Sequence, residues 1–367
     1  MGRERELEEL TRNLDSAIGG KGSTVFVTGE AGSGKTRLVN EFLKQARKKG
    51  ALVLTGWCLS NATIPYFPFA VAFDPYFSSG LDENTGPQPH GFQTGLRQPE
   101  QSATGVSGLA AWLSTPQQPE KTGRSQVMTP QVWKDQAFAA VVRTLHTISC
   151  QEPIVLFIED IHWADSASLS LLHYISRAAS SERILLLATF RSEELTADAE
   201  GTPHPLAEEM RLMRREDLLE EIKLANLDTA SVSRIAENMI GGSLDPEVAD
   251  RLAEESQGNA LFVVETLRML QERKSLIQEG GQWRLAVEEL DIPSKIKDII
   301  LRRLAVLKFN QRRVLDAASV IGEKFDVELL GSVLGQDSLE VLEALNVIAQ
   351  STSLVCVEEN YFRFDHA

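Results

Sequence analysis

Cysteine is scarce in this sequence. Cys58, Cys150 and Cys356 are scattered over 367 positions and form no CxxC pair. An odd, sparse count excludes a disulfide framework or zinc ribbon and fits a reduced intracellular protein. Long apolar runs are missing too. The longest, such as Ile154 to Ile158 and Ile184 to Ala188, fall far short of the roughly 20 residues a membrane helix needs. The N-terminus, MGRERELEEL, has no apolar core and does not read as a signal peptide. The cytoplasm is the expected compartment. Basic residues are also outnumbered, 37 against 52 acidic ones, for a net charge of −15. Phosphate backbones are gripped by clustered Lys and Arg, so this balance weighs against broad nucleic-acid contact. What remains is ordinary for a globular protein, with 43% hydrophobic and 24% charged residues. The length allows two or three domains.

Helical spacing opens the chain, with Leu7, Leu10, Leu14 and Ile18 stopped by Gly19, Gly20 and Gly22. Ser23 to Thr28 is a short β-branched run and predicts a buried strand. A second periodic stretch, Leu38, Val39, Phe42, Leu43 and Ala46, ends in basic residues and Gly50, the expected helix stop. Ala51 to Leu54 predicts another strand. This strand–loop–helix–strand order implies a parallel sheet covered by helices on both faces. Residues 78–129 are crowded with Gly, Pro, Gln, Ser and Thr and read as a flexible insertion in the first domain. Beyond it come a helix near Gln131 to Ser149 and strands at Pro153 to Ile158 and Arg183 to Thr189. A helix around Ser166 to Ala179 separates those strands, and a short strand near Ile222 to Leu224 follows. The rest is mainly helical, with a hairpin turn at Gly280–Gly281 and a last hairpin of alternating apolar residues around Glu358 to Asn360.

The strongest chemical signal is Gly29-Glu-Ala-Gly-Ser-Gly34-Lys35-Thr36, which matches GxxxxGK[ST] between a strand and a helix. Backbone N–H groups of such a loop wrap phosphates, the lysine reaches the β and γ oxygens, and the hydroxyl is placed for Mg²⁺. The expected nucleotide-binding set is therefore Gly29, Glu30, Ala31, Gly32, Ser33, Gly34, Lys35, Thr36 and Arg37. The cofactors are ATP or ADP with Mg²⁺. A second signal is Ile154-Val-Leu-Phe-Ile158-Glu159-Asp160, a buried strand whose carboxyl end presents two acids beside the loop. One acid can serve the Mg²⁺ shell while the other orients or deprotonates the attacking water. Which does which stays open on spacing alone. Arg191, after the next strand, reads either as a sensor of the γ-phosphate or as a surface loop arginine. Asp165 reads as the cap of the helix that Ser166 begins. His162 reads as a packed or capping residue in preference to a catalytic base.

These segments resemble a known group. Gly2-Arg3-Glu4 with its leucine-spaced helix, GEAGSGKTRLVNEF, and Pro65-Tyr-Phe-Pro-Phe69 are similar to the AAA-type ATPase module of STAND signal-transduction ATPases. So are FIEDIHWADSASLSLLHYISR and LLLATFRSEEL. Such modules occur in large LuxR-type regulators, in the maltose-regulon activator type, and beside some adenylate cyclase domains. The resemblance implies an α/β P-loop domain over residues 1–226, a helical lid over 227–290 and a winged helix over 291–367. It places Gly2 and Arg3 near the adenine. It gives Glu159, with Thr36, to the Mg²⁺, and Asp160 the role of catalytic acid. His366 would touch the ADP β-phosphate. Ala260, in GNALF, replaces the proline of the group's lid segment. Members continue into a sensor and an effector domain, so this sequence is expected to be a piece of a longer protein.

The expected function is a slowly hydrolysing switch, closed with ADP and open with ATP. A protein partner or inducer would trigger it, and opening would permit ATP-dependent homo-oligomers. The rival reading is a DNA-bound AAA+ ATPase of origin-recognition type, against which the net charge and Glu358–Glu359 argue. A third is a P-loop domain holding nucleotide as a structural plug.

Overall fold

A computed structural model describes residues 2–58, 65–78, 130–196, 201–279, 282–286, 301, 303–322, 324–352, 354–358 and 361–364. The 78–129 insertion (beyond Ser78), the Gly280–Gly281 turn and His366 lie outside the described residues. The chain divides into two compact units, Arg3–Ala225 and Asn226–Ala367, the second also taking in the first two residues.

The first unit is built on five parallel strands: β1 (Ser23–Thr28), β2 (Leu52–Trp57), β3 (Ile154–Glu159), β4 (Ile184–Phe190) and β5 (Glu220–Lys223). Their order is β2-β3-β4-β1-β5. In register, Ser23 lies beside Leu185 and Val155 beside Leu185 from the other side. Successive side chains of a strand point to opposite faces, and here both faces are buried. Phe26, Leu156, Ile158, Leu186 and Ala188 enter one core. Val25, Val27, Val155, Phe157, Leu185 and Leu187 enter the other. Strands buried on both sides read as unbroken apolar runs, which is why these stretches show no alternation.

Helices α1 (Glu4–Ile18) and α2 (Lys35–Lys48) cover the second face. Their buried residues recur at helical spacing, Leu10, Leu14 and Ala17 on α1 and Leu38, Val39, Phe42, Leu43 and Ala46 on α2. On the first face lie α3 (Phe67–Ser78), α4 (Pro130–Gln151), α5 (Ser166–Ala179) and α6 (Pro205–Arg215), with Phe69, Leu145, Leu172 and Met210 in its core. Helix α3 was not expected from the sequence. Pro68 falls in its first turn, where proline is tolerated, and Pro75 sits inside it.

The second unit carries two hydrophobic clusters of its own. The first joins α7 (Thr229–Ile240), α8 (Pro246–Glu255) and α9 (Ala260–Glu272) to strands β6 (Ser243–Leu244), β7 (Leu276–Glu279) and β8 (Gln282–Leu285). The other gathers α10 (Phe309–Ile321), β9 (Lys324–Phe325), α11 (Val327–Leu334), α12 (Ser338–Thr352), β10 (Val355–Glu358) and β11 (Tyr361–Phe364). In it β10 and β11 pair antiparallel, and β11 pairs antiparallel with β9. Among the described residues no helix is long and apolar enough to cross a membrane.

Candidate functional site

β1 runs out at Thr28 and the chain turns through Gly29–Gly34 before α2 starts at Lys35. Gly34 caps that helix with φ 94°, a left-handed conformation that costs glycine least. The first N–H groups of α2, which have no intrahelical partner, thereby face the loop. Lys35 is buried, and its Nζ donates to the carbonyls of Gly29 at 2.7 Å and Glu30 at 3.0 Å. Burial pulls the ammonium below its usual pKa range. The charges of Asp160 and Glu193 oppose that fall, and Arg191 adds to it. The Ser33 Oγ is buried and has no hydrogen-bond partner among the described residues.

The carboxyl end of β3 faces this loop. The Thr36 hydroxyl donates to Glu159 Oε1 at 3.0 Å. Asp160 follows in a left-handed conformation, φ 49°, where Asp is tolerated better than most residues. Its N–H donates to Thr189 Oγ1 on β4 at 3.0 Å. Its carboxylate lies 3.7 Å from the Arg191 guanidinium, which stacks over the Trp163 ring at 5.1 Å. The two acids, adjacent in sequence, therefore have different neighbours. Glu159 reaches the hydroxyl on α2, and Asp160 reaches the arginine beyond β4.

Asp165 caps α5, its Oδ1 accepting from Ala167 N–H at 2.9 Å and Ser168 N–H at 3.0 Å. His162 is buried against Trp163, with neither ring nitrogen hydrogen-bonded among the described residues. Burial first, then the charges of Arg191, Lys35 and His204, push its pKa down to about 3. A neutral imidazole of such low basicity is a poor proton acceptor near neutral pH.

Arg3 does more than its sequence position suggests. Its Nη2 donates to the carbonyls of Ser33 at 3.2 Å and Ala225 at 2.6 Å, and Nη1 pairs with Glu6 at 3.2 Å. It ties the phosphate loop to the chain leaving β5. Gly2 packs against Leu227 and Ser231 in the second unit. Arg37 is exposed on α2. Ala260 is the first residue of α9, capped by Asn259, whose Oδ1 accepts from Leu261 N–H at 3.0 Å. A proline is well accepted at that position because its N–H has no intrahelical partner, and alanine keeps the helix as readily.

Sequence reasoning missed Glu193. It sits in the 3-10 turn Ser192–Glu194 just past β4, and its Oε1 accepts from Ala31 N–H in the loop at 2.7 Å. The signal was an acid two residues after Arg191, and it carries meaning only once β4 is known to lie beside β1.

Nucleotide phosphates fit this donor set of loop N–H groups, a buried ammonium and a serine hydroxyl unpartnered among the described residues. A hydroxyl and a carboxylate in contact are the hard oxygen ligands Mg²⁺ takes when phosphates and water complete its shell. Comparison with known proteins agrees. Residues 1–187 match the family model described as the AAA ATPase domain. An uncharacterised protein of Rhizobium meliloti (strain 1021) is 28% identical over 344 residues, 90% of this chain and 30% of its own length. Among solved structures, the chain is similar to a signal transduction ATPase with numerous domains (STAND) from Pyrococcus horikoshii, which has a tetratricopeptide repeat sensor. The TM-score is 0.50 at 13% identity, over 96% of this chain and 40% of that one. The Orc1 protein of Aeropyrum pernix in complex with DNA gives a TM-score of 0.43 at 16% identity, over 100% of this chain and 89% of that one. The chain thus spans well under half of the curated relative and of the STAND structure.

Proposed function

The chain belongs to the AAA ATPase domain family, and from that premise we propose that it is a STAND-type nucleotide switch that binds Mg-ATP and hydrolyses it slowly. The observation that carries this reading is the contact of Thr36 with Glu159, beside an Asp160 held between Thr189 and Arg191. In this reading Gly29 to Thr36 wrap the phosphates, with Arg37 following on α2, and Lys35 meets the β and γ oxygens. Thr36 and Glu159 hold Mg²⁺, which when bound neutralises charge on the phosphates. Asp160 orients the attacking water and takes its proton, and Arg191 stabilises charge on the transferred group. Gly2 and Arg3 keep the adenine role that the resemblance implies, and His366 the contact with the ADP β-phosphate.

We assign residues 1–226, 227–290 and 291–367 to the P-loop, lid and winged-helix domains. The winged-helix reading is supported by the order α10, β9, α11, α12, β10, β11, whose closing hairpin pairs back onto β9. ATP and ADP would favour different arrangements of these parts, since equal affinities shift nothing. An inducer acting through a sensor, and ATP-dependent self-association, complete the proposal.

Calorimetry of Mg-ATP binding tests the core. Lys35→Ala should abolish binding, and retained micromolar affinity would sink the assignment. Asp160→Asn should then keep ATP binding and lose phosphate release. If Glu159→Gln stops turnover and Asp160→Asn does not, the roles of the two acids are exchanged.

A further inference from the structure

The contact between Glu193 and the phosphate loop has no place in the scheme above. Ala31 is the third residue of a loop whose backbone N–H groups exist to meet phosphate oxygens, and one of them donates to a carboxylate at 2.7 Å. A carboxylate oxygen is the nearest side-chain equivalent of a phosphate oxygen, in charge and in accepting geometry. Its place in the fold says which phosphate it resembles. Glu193 leaves β4 two residues after Arg191, whose guanidinium lies 3.7 Å from Asp160. The β4 exit therefore reaches the water-activating acid with one residue and the loop with another. In sequence Ala31 falls between the end of β1 at Thr28 and the first N–H groups of α2 at Lys35. The Glu193 side chain is exposed.

We propose that Glu193 sets nucleotide selectivity at this site: its carboxylate occupies the loop position a terminal γ-phosphate would claim, so ATP must displace it and ADP need not. The proposal rests on the nucleotide-binding reading above. It makes the β4 exit a paired reader of the γ-phosphate, with Arg191 drawn towards the added charge and Glu193 driven from it. The unliganded and diphosphate states are thereby favoured over the triphosphate state.

The test is calorimetric titration of Mg-ATP and Mg-ADP into the wild-type chain, Glu193→Gln and Glu194→Gln. The last removes the same charge from a neighbour for which no loop contact is seen among the described residues. Glu193→Gln should tighten ATP about tenfold, the scale of one charge-assisted hydrogen bond at an exposed site, and ADP by less than about threefold. Glu194→Gln should change neither. Equal gains for both nucleotides, or the same gain in Glu194→Gln, would reduce the effect to general charge and overturn the proposal. So would unchanged affinities in Glu193→Gln where the wild type binds both nucleotides and Lys35→Ala binds neither, an outcome that leaves the P-loop reading intact. A wild-type chain that binds neither nucleotide would bring down that reading and this inference together.

Discussion

Arg3 offers a direct contest between what resemblance implies and what the structure holds. If its role is to meet adenine, truncating it should matter only when nucleotide is bound. In the structure its guanidinium already ties Ser33 O to Ala225 O, and its side chain is 12% exposed. Hydrogen bonds from a charged donor contribute roughly 1.5–3 kcal/mol each when buried. The bond to Ala225 lies at the surface, where water can reach the freed carbonyl, so the sum belongs near the low end. The pair with Glu6 adds about 0.2–0.5 kcal/mol, as helix pairs three residues apart do. Arg3→Ala should therefore cost the nucleotide-free protein about 2 kcal/mol. Hydrogen exchange of the β1 amides is the appropriate assay, because it follows opening of this unit alone. That loss corresponds to exchange faster by about thirtyfold. Arg3→Lys keeps the charge but cannot reach both carbonyls with one compact ammonium, and should recover less than half of the loss. The reasoning fails if exchange in Arg3→Ala stays within about twofold of wild type while ATP affinity falls relative to GTP. That pattern would leave the adenine contact as its sole role.

Gly56 on β2 should tolerate no side chain, because a Cβ there would come 1.9 Å from the carbonyl oxygen of Pro68 and 3.2 Å from Ile158 Cδ1. Gly56→Ala must push α3 off the sheet and should lower the thermal midpoint by several degrees or leave the protein insoluble; a midpoint equal to wild type would refute the packing. Acid should loosen the α5–α6 pair, because Arg177, hydrogen-bonded to Glu216, and then His173 hold that carboxylate at a pKa of about 2, below its ordinary 4.5. The folded-state pKa is depressed, so the contribution is complete above the ordinary value and is lost as pH falls through the folded one. Urea midpoints should therefore drop more steeply over that window in wild type than in Glu216→Gln, and parallel slopes would remove the assignment.

The parts legible in the sequence are those whose cause is local. A phosphate loop is a backbone conformation set by a few consecutive residues, so Gly29 to Thr36 announce it without help from the rest of the chain. The strands of the parallel sheet were legible for a related reason, since burial on both faces leaves runs such as Ile154 to Ile158. The Asp165 cap was legible because the N–H groups that donate to it are two and three residues away. Where an element depends on remote packing, the signal fades. β2 runs on to Trp57 past the point where its apolar run breaks at Thr55 and Gly56, because pairing with β3 continues as far as Glu159. β9 is two residues long and leaves no period to read. Helix α3 hides behind its prolines.

The acidic pair shows most clearly what a fold adds. Spacing presents Glu159 and Asp160 as equals at the end of one strand, and no count of apolar residues can separate them. The separation comes from geometry. Glu159 is the last residue in strand conformation and, paired beside Trp57 on β2, points to the face that carries α2 and Thr36. Asp160 leaves the strand with φ 49°, and that turn sends its carboxylate towards β4 and Arg191. The left-handed conformation costs on the order of 1 kcal/mol or more for a residue with a side chain, and Thr189 Oγ1 offsets part of it by accepting the Asp160 N–H. A glycine here would relieve the strain and remove the acid. The chain instead keeps a strained aspartate braced by the neighbouring strand, and the same strand end supplies Arg191 and Glu193. The acid at the end of β3 and two side chains past the end of β4, far apart in sequence, are thus brought beside the phosphate loop.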